Sequence, residues 1–422
     1  MKFSRFNYYI EKKDRVYILN TKSGLICEIT YELYNKIKNN NKLNNEEKEI
    51  FNDLKENLFI VNEQKNEILE LEQEFINNRK DNNHTSITFA PTLKCNFDCV
   101  YCYERKNNTK ISNQNLNILL NYLDRFVLKN TKKITFSWFG GEPSLCKDII
   151  INFSNDFLLL CKKYNIKTKI MIITNGYLLD NELIDFYKSI SDLELCITID
   201  GYRDEHNKRR YLNDKKETFD KIISNLKILI ANNINTTIRV NIDKENSKDV
   251  PNLIDFLEKS NIKPNKIYLG HIQNFTKECS NNTYLTKREF AQEQSNINKL
   301  LYDKKLSATH LIYEGPKKTY CKANYENSII IDHDLNLYKC ENDIGRKELS
   351  FNNILNHESE KNKRFEKWTP FDYEKCINCV LLPSCMGGCA YTSMKYGEPQ
   401  CPSFKYKFEE EAQEMIKQLE NN

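Results

Sequence analysis

Residues 86–104 read "SITFAPTLKCNFDCVYCYE". The first six, Ser86 to Pro91, mix β-branched and aromatic residues as a strand does, and three cysteines follow within eight positions: Cys95, Cys99 and Cys102, spaced C-x3-C-x2-C. A metal site closed by protein alone usually takes four ligands, and this stretch offers three. Three thiolates hold three irons of a [4Fe–4S] cube and leave the fourth iron open as a reaction site. The plainer readings are a zinc site completed by a distant residue and three unrelated thiols. Zinc modules usually pair one C-x-x-C with a second, and no second pair lies near this one.

Working outward, the strand pattern recurs. "SITFAP", "KITFSWFG", "KIMIITNG", "LELCITIDG", "TTIRVNID" and "KIYLGHI" are six apolar runs separated by amphipathic stretches of helical period. Six βα units in a row imply an α/β fold on a parallel sheet, barrel-like or doubly wound, with functional groups at the carboxyl ends of the strands. The polar tips "GGEP" (140–143), "TNG" (174–176) and "DG" (200–201) fall at those ends.

The flanks differ. Residues 1–80 begin with strand-like "NYYI", "RVYILN" and "LICEI", followed by helical "YELYNKIKN", "NEEKEIFNDLKEN" and a third helix striped by Ile68, Leu71 and Phe75. The polar run 77–86 reads as a linker. After residue 310 the alternation stops and cysteines gather: Cys321, Cys340, then Cys376-x2-Cys379-x5-Cys385-x3-Cys389, then Cys401, closed by the helical pattern "FEEEAQEMIKQLE". Alone, such pairs also suit a zinc ribbon.

Composition sets the frame. At 422 residues and 40% apolar content the chain can form two or three domains with real cores. Net charge is +4, with lysines spread along the chain, so nothing indicates nucleic acid. The N-terminus lacks an apolar signal core, and no run approaches the roughly 18 apolar residues of a membrane span. A cytoplasmic protein without a membrane partner is expected. In a reducing compartment clustered cysteines serve as metal ligands more often than as disulfides. Cys27, Cys146, Cys161, Cys196 and Cys279 stand outside the clusters and read as structural thiols.

The triad with Tyr101 before its last cysteine, together with "GGEP", "TNG" and "TIDG" at successive strand ends, resembles the radical S-adenosylmethionine (SAM) enzymes over about 86–310. The resemblance implies a partial (β/α)6 barrel whose [4Fe–4S] cluster cleaves SAM reductively to a 5′-deoxyadenosyl radical. The methionyl ammonium and carboxylate of SAM would chelate the open iron. Gly140 and Gly141 would let carbonyls approach that ammonium and Glu142 would add a charged acceptor. Asn175 and Thr198 would meet ribose or carboxylate, Tyr101 would sit beside the adenine, and Arg210 would either pair with the carboxylate or remain a solvated charge. The tail resembles the SPASM extension, whose seven cysteines hold two auxiliary [4Fe–4S] clusters. By that likeness Cys376, Cys379, Cys385 and Cys401 close one cluster, while Cys321, Cys340 and Cys389 hold the other, for three clusters in all. Some relatives place an eighth cysteine between the first two, and none lies between Cys321 and Cys340. That vacancy would take a substrate thiolate or Cys279. Leu335 stands where the pattern usually has glycine, which leaves the turn to Asn336.

Residues 1–80 resemble the small PqqD-type winged-helix domain that receives the leader of a precursor peptide by strand addition. The domains expected are therefore 1–80 for leader recognition, 86–310 for the radical SAM core and 311–422 for SPASM. The function implied is maturation of a ribosomally made peptide, most directly a thioether cross-link from a cysteine, with electrons from a ferredoxin or flavodoxin. A sulfatase-maturing type enzyme making formylglycine is the alternative. In that family an aspartate follows the second SPASM cysteine as proposed base, and here Glu341 does, making it the candidate catalytic residue. A peptide-binding iron–sulfur or zinc protein is the non-enzymatic alternative.

Overall fold

The computed structural model describes residues 1–276, 283–356 and 364–420, and the chain divides into two compact units. The first comprises residues 1–80, 311–325 and 366–422; the second, 81–310 and 326–365. The expected 311–422 module is thus shared between both. Cys279 lies outside the described residues.

In the first unit β1 (Lys2–Phe3) pairs with β5 (Ile60–Val61), and β2 (Asn7–Lys12), β3 (Arg15–Asn20) and β4 (Ile26–Thr30) form an antiparallel sheet. The helices α1 (Tyr31–Lys38), α2 (Asn45–Glu56) and α3 (Glu67–Arg79) fall where the apolar periodicity places them. Thr30 caps α1 by accepting from Leu33 N (3.2 Å), and Asn44 and Glu47 close a capping box on α2. Val16, Ile18 and Ile29 of the sheet pack on Leu33, Ile37 and Leu54 of the helices.

The linker reading of 77–86 is too long. Helix α3 runs on to Arg79, whose buried guanidinium donates to Asn324 O and Trp368 O at 3.2 Å each and lies over Phe75. Those bonds hold the last turn in a helix that polar composition alone would not retain.

The second unit carries the six predicted strands as β6 (His84–Phe89), β7 (Lys133–Trp138), β8 (Lys167–Thr174), β9 (Leu193–Thr198), β10 (Thr236–Ile242) and β11 (Lys266–His271), all parallel and in sequential order. This is the open (β/α)6 arrangement that the resemblance implies, and it decides between the barrel-like and doubly wound forms that the alternation left open. The outward faces of β6 and β7 present Phe89, Phe136 and Trp138 to Phe153 and Phe157 of the helix Lys147–Lys163, with Phe136 and Phe157 centroids 4.7 Å apart. Trp138 Nε1 reaches Ser154 Oγ at 3.0 Å, so the buried indole is satisfied. Inside the sheet, Lys169, Glu194 and Thr237 form a polar layer, with Lys169 Nζ 2.6 Å from Glu194 Oε2.

Beyond β6 the sheet gains β12 (Ser328–Ile331), parallel to β6, then antiparallel β13 (Asn336–Tyr338) and β14 (Asn352–Asn353). The turn between β12 and β13 corrects the reading of its departure from glycine. Leu335 itself takes the left-handed conformation, φ 64°, and Asn336 enters the strand. Asp332 Oδ1 accepts from the backbone of both Asp334 and Asn336 at 3.0 Å, and the Leu335 side chain is fully buried, which offsets the strain.

Candidate active site

The carboxyl end of β6 leads directly into the cysteine loop, which lies along residues 209–213. Asp98 N donates to Tyr211 O, Val100 N to Arg209 O, and Asn213 Nδ2 to Cys95 O. The β7 end closes on the same loop. A Cβ on Gly140 would come 2.3 Å from Thr92 O, and one on Gly141 would come 2.3 Å from Lys94 O, so only glycine permits this approach.

One cavity receives these elements. Cys95, Cys99 and Cys102 line it, together with Tyr101, Gly140, Gly141, Asn175, Thr198 and Arg210. Its empty space, counted together with the open mouth, is about 940 Å³. Nine of the residues singled out from the sequence thus meet in one place.

Glu142 stands behind that wall. It is fully buried, its Oε1 accepts from Ser144 N (3.0 Å) and Thr174 Oγ1 (2.6 Å), and its Oε2 accepts from Asn175 N (2.7 Å). Burial pushes its pKa up, and these bonds oppose the shift. Its visible work is to join the ends of β7 and β8. Asn175 in turn donates to Asn96 Oδ1 at 2.8 Å, which holds the cysteine loop.

Tyr101 carries a second network. Its hydroxyl donates to Asp200 Oδ2 and accepts from Arg210 Nη1 (2.6 Å) and Asn241 Nδ2 (3.1 Å). Arg210 is buried at the cavity rather than solvated, 3.8 Å from Asp200, and its Nε has no partner. The neighbouring Arg209 faces away into a bidentate pair with Asp243, 3.1 and 3.0 Å.

Glu341 follows Cys340 in the second unit, within electrostatic reach of Tyr103 and Glu104, both of which line the cavity. Glu104, with one buried oxygen lacking a partner, was not singled out from sequence; nor were Arg239 and His271, which also face the cavity. Burial raises Glu104 to about 8. Single polar residues in a loop or strand carry no spacing signal that would have marked them.

In the first unit Cys376, Cys379, Cys385 and Cys401 lie within electrostatic reach of one another, and Lys405 Nζ is 3.4 Å from Cys401 Sγ. Cys321 and Cys389 both act on Tyr320. Cys340 belongs to the second unit. Cys146, Cys161 and Cys196 are buried, and Cys27 is half-buried.

Residues 89–257 match the sequence model of the Radical SAM superfamily. The chain carries a radical SAM domain. Two curated relatives extend beyond that radical SAM segment. A cysteine-type anaerobic sulfatase-maturating enzyme of Clostridium novyi is 26% identical over 75% of this chain and 91% of its own. The radical SAM cyclopropyl synthase TigE of Paramaledivibacter caminithermalis is 22% identical over 74% and 69%. Among solved structures, native anSMEcpe with bound AdoMet and Cp18Cys peptide superposes with a TM-score of 0.59 at 18% identity, covering 77% of this chain and 97% of that one. SuiB of Streptococcus suis bound to precursor peptide SuiA gives 0.56 at 13%, covering 95% and 98%. These two likenesses speak for the fold.

The residues present fit the cluster and SAM that a radical SAM domain implies. Three thiols share a cavity with an orphaned guanidinium nitrogen and a polar rim of strand ends. Burial keeps all three thiol pKa values high, so it is metal ligation that would make them thiolates. Among the described residues no three His, Cys, Asp or Glu side chains converge on a single ion, and the fit rests on the shared cavity and donor chemistry. No helix among them is long and apolar enough to cross a membrane.

Proposed function

We propose that this radical SAM enzyme matures a ribosomally made precursor peptide, joining a precursor cysteine to a carbon of another residue through a thioether. The observation that carries the reading is the single cavity where the cysteine triad meets the polar ends of successive parallel strands. Cys95, Cys99 and Cys102 would hold one [4Fe–4S] cluster, and Cys321, Cys340, Cys376, Cys379, Cys385, Cys389 and Cys401 two more. When bound, SAM and its cluster supply a 5′-deoxyadenosyl radical able to take hydrogen from an unactivated carbon.

The chain's own residues do the rest. Arg210 and the backbone of Gly140 and Gly141 would orient the methionyl end of SAM, with Asn175 and Thr198 toward the ribose and Tyr101 toward the adenine. Glu142 would act through the two strand ends it joins. Phe97, Phe139 and Phe275 line the cavity and would limit water around the reacting atoms once SAM and peptide are bound. Cys321, Cys340 and Cys389 would hold an auxiliary cluster that supplies the acceptor for the one electron released as the carbon–sulfur bond forms, and Glu341 would take the thiol proton. Residues 1–80 would receive the leader along an edge of the β2–β4 sheet. Two structural neighbours that hold peptides, anSMEcpe with the Cp18Cys peptide and SuiB with the precursor peptide SuiA, support a peptide substrate. The reductant would be a ferredoxin or flavodoxin.

Formylglycine formation is the second reading, favoured by the sulfatase-maturating relative, 91% of which this chain covers. Glu341 would then be the base. Co-expression with a short cysteine-rich peptide encoded beside the gene separates the two. A thioether removes two hydrogens and one alkylatable thiol from the peptide; an aldehyde trapped by a hydrazine supports formylglycine, and an unmodified peptide contradicts the thioether assignment.

A further inference from the structure

The cavity holds a second guanidinium with a different environment from Arg210. Arg239 lies on β10, paired in register with Tyr268 of β11 and Thr198 of β9, and its side chain lines the cavity. Its Nε donates to the neutral Asn241 Oδ1 at 2.7 Å. Among the described residues no carboxylate stands within ion-pair distance of it, whereas Arg209 pairs with Asp243 and Arg210 faces Asp200. The groups that act on it most are Tyr268, Tyr103, Cys196 and Tyr101, and all of these are uncharged when protonated.

Arg239 is half-buried against the cavity, and stripping part of the water from a guanidinium that has no anion is costly, because it keeps its proton at any ordinary pH. The fold nonetheless makes room for it. A Cβ on Gly270, which is in register with Asn241 on the next strand, would come 2.4 Å from Asn241 Oδ1 and 2.8 Å from Arg239 Nε. The backbone is therefore shaped around a charge that the described residues do not neutralise.

We propose that Arg239 is the receptor for a carboxylate of the substrate, an Asp or Glu side chain of the peptide segment that enters the cavity. This rests on the peptide-maturase reading. The methionyl carboxylate of SAM carries the same chemistry. Arg210 is the better partner for it, because it packs against the cysteine loop itself, over the Phe97 ring and with Nη1 2.6 Å from the Tyr101 hydroxyl. Arg239 instead stands beside Tyr103 and Tyr268, toward the groups on which Glu341 also acts. A carboxylate held there would fix which residue of the peptide faces the cavity.

The test uses reconstituted holoenzyme with SAM and two probes, N-acetyl-L-aspartate N-methylamide and its asparagine counterpart, followed by paramagnetic broadening of their methylene signals. The aspartate probe is expected to bind the wild type at least about tenfold better than the asparagine probe, and Arg239→Gln to abolish that preference. Arg239→Lys should retain part of it, and carries the comparison if the glutamine variant does not fold. Equal response to both probes, or an undiminished preference in Arg239→Gln, overturns the assignment. A second arm compares SAM with decarboxylated SAM. If Arg239→Gln weakens binding of SAM but not of the decarboxylated form, the carboxylate is the co-substrate's and the assignment is likewise overturned. A wild type that makes no 5′-deoxyadenosine would instead defeat the underlying enzymatic reading.

Discussion

Asn175 Nδ2 donates to Asn96 Oδ1 across 2.8 Å, so the tip of β8 holds the middle of the cysteine loop. The other end of the Asn96 amide is buried without a partner. Asn175→Ala would leave the whole amide unsatisfied, a local cost of about 1–3 kcal/mol. Iron release from reconstituted protein to a chelator should be faster in this variant. An unchanged rate would remove Asn175 from the support of the loop.

Arg209 and Asp243 are both buried and meet through two hydrogen bonds of 3.1 and 3.0 Å. Asp243→Asn removes the bidentate partner of the guanidinium and leaves Glu245 at 3.7 Å, Glu205 at 4.0 Å and the more distant charge of Asp200 to replace it. A loss of about 3 kcal/mol is expected, at the lower end for a broken buried pair. Denaturant unfolding measures it, and a loss within error of zero would show that the remaining carboxylates suffice.

His271 is held neutral by burial, its pKa lowered to about 4, while Nε2 contacts Leu285 O at 2.7 Å and the ring stacks on Phe290. The unfolded chain takes up this proton below about pH 6.5 and the folded chain only near its lowered value. The unfolded state therefore binds more protons in that window. Stability from this group is complete above it and is lost as pH falls through it toward 4. His271→Gln should flatten that part of the stability–pH curve, and parallel curves for variant and wild type would contradict the assignment.

Leu335 trades backbone strain of about 1–2 kcal/mol against a fully buried side chain. Truncating a buried leucine costs roughly 2–5 kcal/mol, so Leu335→Gly should lower the melting temperature although glycine suits the φ. A rise would show that strain outweighs packing there.

Much of the barrel is legible because its signals are local. Each of the six strands is a short apolar run ending in a polar tip, and each falls where that run places it. The cysteine triad and the strand-end residues share one cavity because parallel strands put their carboxyl ends on one side. Residues 326–353 were not legible as part of the same sheet, since strands of two to four residues have no period to read. Spacing also cannot separate a lining residue from one behind it, which is why Glu142 reads as a ligand contact and stands as a buttress. Arg209 and Asp243 escaped notice because they are distant from each other in sequence and single charges carry no pattern.

The most direct test of the account is SAM cleavage by anaerobically reconstituted protein under a strong reductant. Wild type should form 5′-deoxyadenosine, and Cys95→Ala, Cys99→Ala and Cys102→Ala should each abolish it while Cys321→Ala retains it. Zinc in place of iron, or cleavage that survives loss of a triad cysteine, would contradict the central claim that these three thiols form the reactive centre.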